Sequence, residues 1–422
     1  LDLLARDART LWHPYTQHGL DPQPLAVVGA KGAWLQLADG ARKLDAISSW
    51  WSCLHGHAEP RIVAAIAAQA AALDHVLFAG CTHEPAVALA EELLALAPRQ
   101  AGRPALARVF YSDDGSTAVE SALKMAIGAW VRRGETARTT LIALEGAYHG
   151  DTFGAMSAGD PTPFFREFGP FLFHVVRVPP EAEALEAALK AQSGRVAGMI
   201  VEPLVQGAAG MRMHSEAFLR EARRLCDTHD TLLIADEVMT FGRTGSVTAC
   251  ERAGIAPDLL CLAKGLTGGT LPLAATLATE EIFDAFRSEE RSRAFFHGHT
   301  FTGNPIACAA ARASLALMRE NQVPARLDAI GSRIESALAP LREDARVREL
   351  RRCGGIVALE LEAADPGYLA GLGERLRTAC RAQPEVLLRP LGNVLYALPP
   401  ACMSDVEADQ VADAISAVAR SA

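Results

Sequence analysis

Leu232-Leu233-Ile234-Ala235-Asp236-Glu237 and Leu259-Leu260-Cys261-Leu262-Ala263-Lys264-Gly265 are two short apolar runs, and each stops at a charged side chain. Runs of four or five apolar residues bounded by polar or turn residues read as strands buried on both faces. The same signature recurs at Val109-Phe110-Tyr111, from Thr140 to Leu144 and from Gly198 to Val201. Helical stretches lie between several of these runs. The clearest carries Val119, Ala122, Leu123, Ala126, Ile127, Trp130 and Val131 at helical spacing, with Thr117-Ala118-Val119-Glu120 fitting a capping box at its start. The alternation predicts an α/β fold, with a mostly parallel sheet and helices on both faces.

Outward from that centre the pattern changes. A polar, proline-bearing arm runs to about Gln23, and strand-like pieces follow at Trp34 to Leu37 and Lys43 to Ala46, split by the turn pair Asp39-Gly40. Residues 1–58 are therefore expected to form an arm and part of a small domain. The helix–strand alternation begins near Pro60, so residues 59–320 are expected to form the large domain. After Asn321 come a long helix, a run from Ile356 to Leu361, another helix and a run from Val386 to Arg389. That order predicts a smaller α+β domain over 321–422.

Bulk properties narrow the function. Hydrophobic residues are 50% and charged residues 22% of the 422, an ordinary globular balance. The net charge of −9, without a polybasic run, argues against nucleic acid or an anionic membrane as the main partner. The Ala-rich stretch from Ile62 to Leu73 contains Gln69 and reads as a helix packed in a globular protein, and no apolar run is long enough to span a bilayer. The 9 cysteines are scattered and form no Cys-x-x-Cys pair, which fits a reducing compartment, so the cytoplasm is expected. The chain begins at Leu1 rather than Met, and residues are expected to be missing before it.

Open α/β sheets bind ligands at the carboxyl ends of their strands. Four residue groups fall at such ends: Asp113-Asp114-Gly115-Ser116, Gly146 to Asp151, Asp236-Glu237 and Lys264. Gly115 and Ser116 open a helix, where free N–H groups and the positive end of the helix dipole favour an anion; a plain capped turn is the alternative. With no Gly-x-Gly-x-x-Gly and no Gly-Lys pair, a dinucleotide or P-loop site has no support. Lys264 after an apolar strand would be partly desolvated, which lowers its pKa and makes it a nucleophile toward a carbonyl; a solvated strand-end lysine is the alternative. Asp236 could hold the proton of a pyridine nitrogen, with a helix cap as the alternative, and Tyr148 could stack on a flat heterocycle, with a buried structural tyrosine as the alternative. Metal binding is not expected, because Cys226 and His229 form no ligand cluster. A phosphate cradle, an aromatic stacker, an acid for a pyridinium and an amine nucleophile are the parts of a pyridoxal 5′-phosphate site.

Asp236-Glu237-Val238, Phe241-Gly242-Arg243-Thr244-Gly245, Pro257-Asp258 and Lys264-Gly265 resemble, in order and spacing, the class-III aminotransferases. These are fold-type-I pyridoxal-phosphate enzymes, and the resemblance covers nearly the whole chain. Trp12-His13-Pro14-Tyr15-Thr16-Gln17, Ser48-Ser49-Trp50-Trp51, Tyr148 to Ser157 and Gln206-Gly207 before Gly210-Met211 are similar to the branch that aminates 8-amino-7-oxononanoate to 7,8-diaminononanoate in biotin biosynthesis, with S-adenosylmethionine as amino donor.

The resemblance implies roles. Lys264 holds the cofactor as a Schiff base and moves the proton. Asp236 pairs with the pyridine nitrogen, Tyr148 stacks on the ring, and Gly115, Ser116 and Thr300 bind the phosphate. Thr300 would act across the interface of a homodimer with shared sites. Tyr15, Trp50 and Gly298 line the substrate pocket, and Arg389 clamps the acceptor's carboxylate. Two departures stand out. The segment from Asp236 to Arg243 is one residue shorter than the family form, so Arg243 is left out of the expected site. His299 and Leu391 resemble relatives that use lysine as donor, which is the alternative reading. Another class-III ω-aminotransferase, an aminomutase and a non-catalytic pyridoxal-phosphate-binding regulator are further alternatives.

Overall fold

The computed structural model describes residues 2–160, 165–364 and 371–421. At its centre lies a seven-stranded sheet in the spatial order Leu106–Ser112, Ala274–Thr279, Leu259–Leu262, Leu232–Asp236, Val196–Val201, Thr140–Leu144, Val175–Val178. The pairings 232–236 with 259–262 and with 196–201, and 140–144 with 196–201 and 175–178, are parallel. Strand Ala274–Thr279 alone runs against both neighbours. The fold is the mostly parallel α/β architecture expected from the sequence. Strands Thr140–Leu144 and Val196–Val201 are buried at every position, which is why they read as unbroken apolar runs.

Helix Gly115–Arg132 packs Val119, Ala122, Leu123, Ala126 and Trp130 against the sheet. Its capping box lies one turn earlier than the sequence indicated. Asp114 accepts from Thr117 N at 2.9 Å, and the Thr117 hydroxyl answers the Asp114 N–H at 3.1 Å. Glu120 instead reaches across to accept from Gly154 N and Ala155 N. The Ala-rich stretch forms helix Pro60–Ala72, capped by Glu59. No helix among the described residues is long and apolar enough to cross a membrane.

Two smaller sheets flank the centre. Val27–Lys31, Trp34–Leu37 and Arg42–Asp45 form a meander, and Arg42–Asp45 pairs in parallel with Val386–Leu387. The run expected from Val386 to Arg389 is thus a two-residue strand, ended by the approach to Pro390, which has no N–H to donate. Val347–Cys353, Ile356–Leu361 and Val394–Ala397 form an antiparallel sheet, packed on helices Val323–Leu338 and Asp405–Ser421.

Candidate active site at the carboxyl edge of the sheet

The four groups picked out at strand ends share one edge of the sheet, because strands 106–112, 140–144, 232–236 and 259–262 all point the same way. Contacts among them are close. His149 Nδ1 lies 2.7 Å from Asp236 Oδ2, and Asp236 Oδ1 accepts from Val238 N at 3.1 Å. Gly150, at φ +123°, lies so near Ser116 that a Cβ there would strike the serine. A Cβ on Gly115 would come within 2.5 Å of Val238. Ser116 Oγ accepts from Thr152 N at 3.0 Å and is 2.7 Å from the Thr152 hydroxyl.

Lys264 is part-buried and adopts φ +48°. Left-handed backbone costs a side-chain-bearing residue roughly 1–2 kcal/mol, so the surroundings must hold it. Ser314 Oγ donates to Gly265 O at 3.2 Å, and His55 Nε2 sits 2.9 Å from that hydroxyl. Burial lowers the Lys264 ammonium to about 8; Asp236 and Glu202 oppose the shift and the Arg243 guanidinium adds to it. Its Nζ lies 4.7 Å from the centre of a Trp51 ring.

The Ser48-Ser49-Trp50-Trp51 stretch is the most unusual backbone in the chain. All four residues have φ between +44° and +75°, a full left-handed turn without a glycine. One local and two long-range bonds hold it. Ser48 Oγ donates to Leu398 O at 2.7 Å, Ser49 Oγ to Asp45 Oδ2 at 2.7 Å, and Trp51 Nε1 to the Tyr396 hydroxyl at 3.0 Å. Asp45, fully buried, also meets His57 Nε2 at 2.9 Å, and this pairing raises His57 to about 10. Arg243 closes the brace: its buried guanidinium donates to Trp51 O at 3.1 Å and to Pro399 O at 3.2 Å. The residue set aside because of the shortened segment therefore supports the wall of the site.

The turn presents Trp50 outward. The Arg389 guanidinium stacks over its ring at 4.8 Å, and the Tyr15 ring meets it edge-on at 5.4 Å. Arg389 makes no salt bridge or hydrogen bond with a described residue. Tyr15 OH donates to Asp151 at 2.8 Å and lies 3.1 Å from Tyr148 OH. Tyr148 OH donates to Asp151 at 3.0 Å, and its ring lies parallel to Phe165, 6.1 Å away. Burial, with the neighbouring Tyr15 and Asp151, pushes the Tyr148 phenol upward, so it stays protonated.

Tyr15, Trp50, Arg389 and Tyr148 thus form one wall, with Asp236, Lys264, Gly115 and Ser116 gathered at the sheet edge. Gly298 and Thr300 lie in the segment joined to Asp113 through His299, whose Nδ1 is 3.3 Å from Asp113 Oδ2. Thr300 is exposed and makes no hydrogen bond to Gly115 or Ser116 within the chain. Glu237, grouped with Asp236 in the sequence, serves elsewhere: it accepts from Ala249 N and Cys250 N at the start of helix Ala249–Ala253. Three residues to which the sequence reading gave no role belong to the site region: His149 beside Asp236 and Asp151 between the tyrosines, both in the Gly146 to Asp151 group, and Glu202, outside the four groups, which accepts from Tyr148 N and Gly207 N.

The donor set suits pyridoxal 5′-phosphate. The approach of Gly150 to Ser116 leaves the cradle without side-chain bulk, Ser116 and the start of an 18-residue helix would suit a phosphate, and a carboxylate and an amine lie at neighbouring strand ends. His149 Nε2 and Gln206 Oε1 are buried and have no hydrogen-bond partner among the described residues.

Comparison with known proteins agrees. The profile of the family Aminotransferase class-III matches residues 15–419. A protein of Synechococcus elongatus named adenosylmethionine-8-amino-7-oxononanoate aminotransferase is 50% identical, over 96% of this chain and 97% of its own. The crystal structure of a protein of the same name from Methanocaldococcus jannaschii superposes with a TM-score of 0.93 at 35% identity, over 100% of this chain and 99% of that one. An amine transaminase from an uncultivated Pseudomonas species, solved in its PLP-bound form, superposes with a TM-score of 0.88 at 34% identity, over 97% of this chain and 98% of that one. The chain belongs to the class-III aminotransferases.

Proposed function

We propose that this chain transfers an amino group to 8-amino-7-oxononanoate, giving 7,8-diaminononanoate in biotin biosynthesis, with pyridoxal 5′-phosphate as cofactor and S-adenosylmethionine as donor. The relative at 50% identity over nearly the full length supports the activity. The observation that carries it in the structure is Arg389, a guanidinium stacked on Trp50 beside Tyr15 and paired with no described acid. A guanidinium held flat by an aromatic ring is oriented to take a carboxylate through two parallel bonds. Trp50 and Tyr15 offer apolar faces to an aliphatic chain and electron-rich faces to a sulfonium.

When bound, the cofactor supplies an electron-withdrawing ring that stabilises negative charge at the donor's α-carbon. The protein does the rest. Gly115, Ser116 and the following helix N-terminus would hold the phosphate. Asp236 would keep a proton at the pyridine nitrogen, and His149 Nδ1–H donates to Asp236 and holds it in place. Lys264, brought to about 8 by burial, has a ready fraction of free amine, which would hold the cofactor at its aldehyde and would serve as the base at the substrate's α-carbon. Asp151 fixes the hydroxyls of Tyr15 and Tyr148, so the two rings form a rigid wall rather than two independent rotors.

The protein is also proposed to work as a homodimer in which Thr300 and Gly298 reach the partner's site. Their segment exposes Phe296 and Phe301, and Thr300 has no hydrogen bond to its own phosphate cradle. A cytoplasmic setting is supported by nine cysteines that are all unpaired. The test of function is a single-turnover half-reaction. S-adenosylmethionine is expected to convert the cofactor's absorbance to that of its amine form within one turnover, and 8-amino-7-oxononanoate to restore it. Conversion by lysine and not by S-adenosylmethionine would overturn the donor assignment.

A further inference from the structure

Glu202 follows strand Val196–Val201 at the same carboxyl edge as Asp236 and is buried. Its two carboxylate oxygens serve two different segments. Oε1 accepts from Tyr148 N at 3.0 Å, and Oε2 accepts from Gly207 N at 2.9 Å. Tyr148 carries the ring and hydroxyl of one wall. Gly207 packs under the other: a Cβ there would fall 2.6 Å from Met239 Sδ and 3.1 Å from the Trp51 ring, the ring over which Lys264 Nζ lies. The Glu202 carbonyl accepts from His214 Nε2 at 2.8 Å, a bond separate from the two carboxylate contacts. A buried carboxylate is expensive to keep unless its lone pairs are occupied. A neutral side chain could have filled the volume, yet here an acid bridges the two walls.

The geometry points to Glu202 as a positioning residue: it holds the Tyr148 wall and the Gly207–Trp51 wall at a fixed separation and so sets how tightly the cofactor ring is gripped. This rests on the cofactor reading above. Glu202 touches neither substrate nor reacting atoms and acts through the two backbone N–H groups and through its charge. Burial pushes the Glu202 carboxyl up to about 7, and above that pH its charge faces Asp236, His149 and Lys264 and favours the protonated form of Lys264.

Three variants test this in the holoenzyme prepared with pyridoxal 5′-phosphate. E202Q keeps the shape but turns an NH2 toward one of the two backbone donors. E202D keeps the charge and both acceptors on a shorter arm. H214Q removes the imidazole that bonds the Glu202 carbonyl and meets Phe218 edge-on, leaving both carboxylate contacts in place. The readouts are the dissociation constant of the cofactor, the pH midpoint of its absorbance change and the melting temperature of the cofactor-free protein. E202Q is expected to weaken cofactor retention about tenfold, the scale of one unsatisfied buried N–H, and to move the pH midpoint downward, since a negative charge near Lys264 is gone. E202D should keep the wild-type midpoint while weakening retention, and H214Q should leave both unchanged. Wild-type retention and midpoint in E202Q, or equal weakening in H214Q, would overturn the proposal. If E202Q does not accumulate as folded protein, E202D decides, with wild-type retention the overturning result. A wild-type chain that takes up no cofactor removes both readings, whereas normal uptake with an unchanged E202Q removes only this one.

Discussion

His149 Nδ1 donates to Asp236 Oδ2 across 2.7 Å, joining the loop after strand 140–144 to the end of strand 232–236. Both side chains are buried. The pair fixes the carboxylate at the sheet edge and leaves Oδ1 to the Val238 N–H. An acid so restrained can hold a pyridinium proton without swinging toward solvent.

The first prediction concerns that pair. Asp236→Asn removes the charge that keeps the ring nitrogen protonated and should lower kcat by at least about 100-fold, within the range of general acid–base contributions. His149→Phe leaves the carboxylate in place but loosens it, so its loss should be smaller, about tenfold. Steady-state kinetics with saturating cofactor measure both. Equal losses in the two variants would mean that Asp236 acts only as a packing partner of His149.

A second prediction separates the two half-reactions. Arg389→Ala should slow the acceptor half-reaction about 100-fold, the scale of a charge-assisted bond worth ~1.5–3 kcal/mol, with much less effect on the donor half-reaction. Stopped-flow absorbance with each substrate alone gives both numbers. Equal slowing would remove the carboxylate clamp.

The phosphate cradle gives a third. Gly150→Ala places a methyl at φ +123° against Ser116, where it meets backbone as well as side chain. Cofactor retention should fall, and equilibrium dialysis against pyridoxal 5′-phosphate reads the change. Retention equal to wild type would mean that the phosphate lies elsewhere.

The brace beneath Trp50 supplies a fourth, with a definite sign. His57 is raised by its Asp45 partner to about 10 in the folded chain, above its ordinary value of 6.5. The stabilisation it contributes is complete below 6.5 and is lost as pH rises through about 10. His57→Asn should therefore destabilise the protein at neutral pH, and the gap from wild type should narrow toward pH 10. Denaturant melts at several pH values check it, and a gap independent of pH would rule out an ionised pair.

Much of this site was legible in the sequence, because strand ends are visible as apolar runs that stop at Asp236, Lys264, Ser112 and Leu144. Glu202 obeys the same rule after the run ending at Val201, so the signal for it was present. Strand Ala274–Thr279 was not visible: its alanines and threonines are fully buried yet carry little apolar contrast. The left-handed turn at Ser48 to Trp51 could not be read either. Neither Gly nor Asn marks it, and it exists because Leu398, Tyr396 and Arg243, far along the chain, hold it. The capping box was placed one turn late because Asp114 with Thr117 departs from the usual Ser/Thr-to-Glu spelling.

The central claim is that the Lys264 amine, at the end of strand 259–262 and near the Asp236 carboxylate, carries pyridoxal 5′-phosphate. Borohydride reduction of the holoenzyme followed by peptide mapping tests it most directly. The cofactor's mass should be found fixed on Lys264, and Lys264→Ala should yield no reduced adduct. A stable adduct on another lysine, with Lys264 unmodified, would contradict the account.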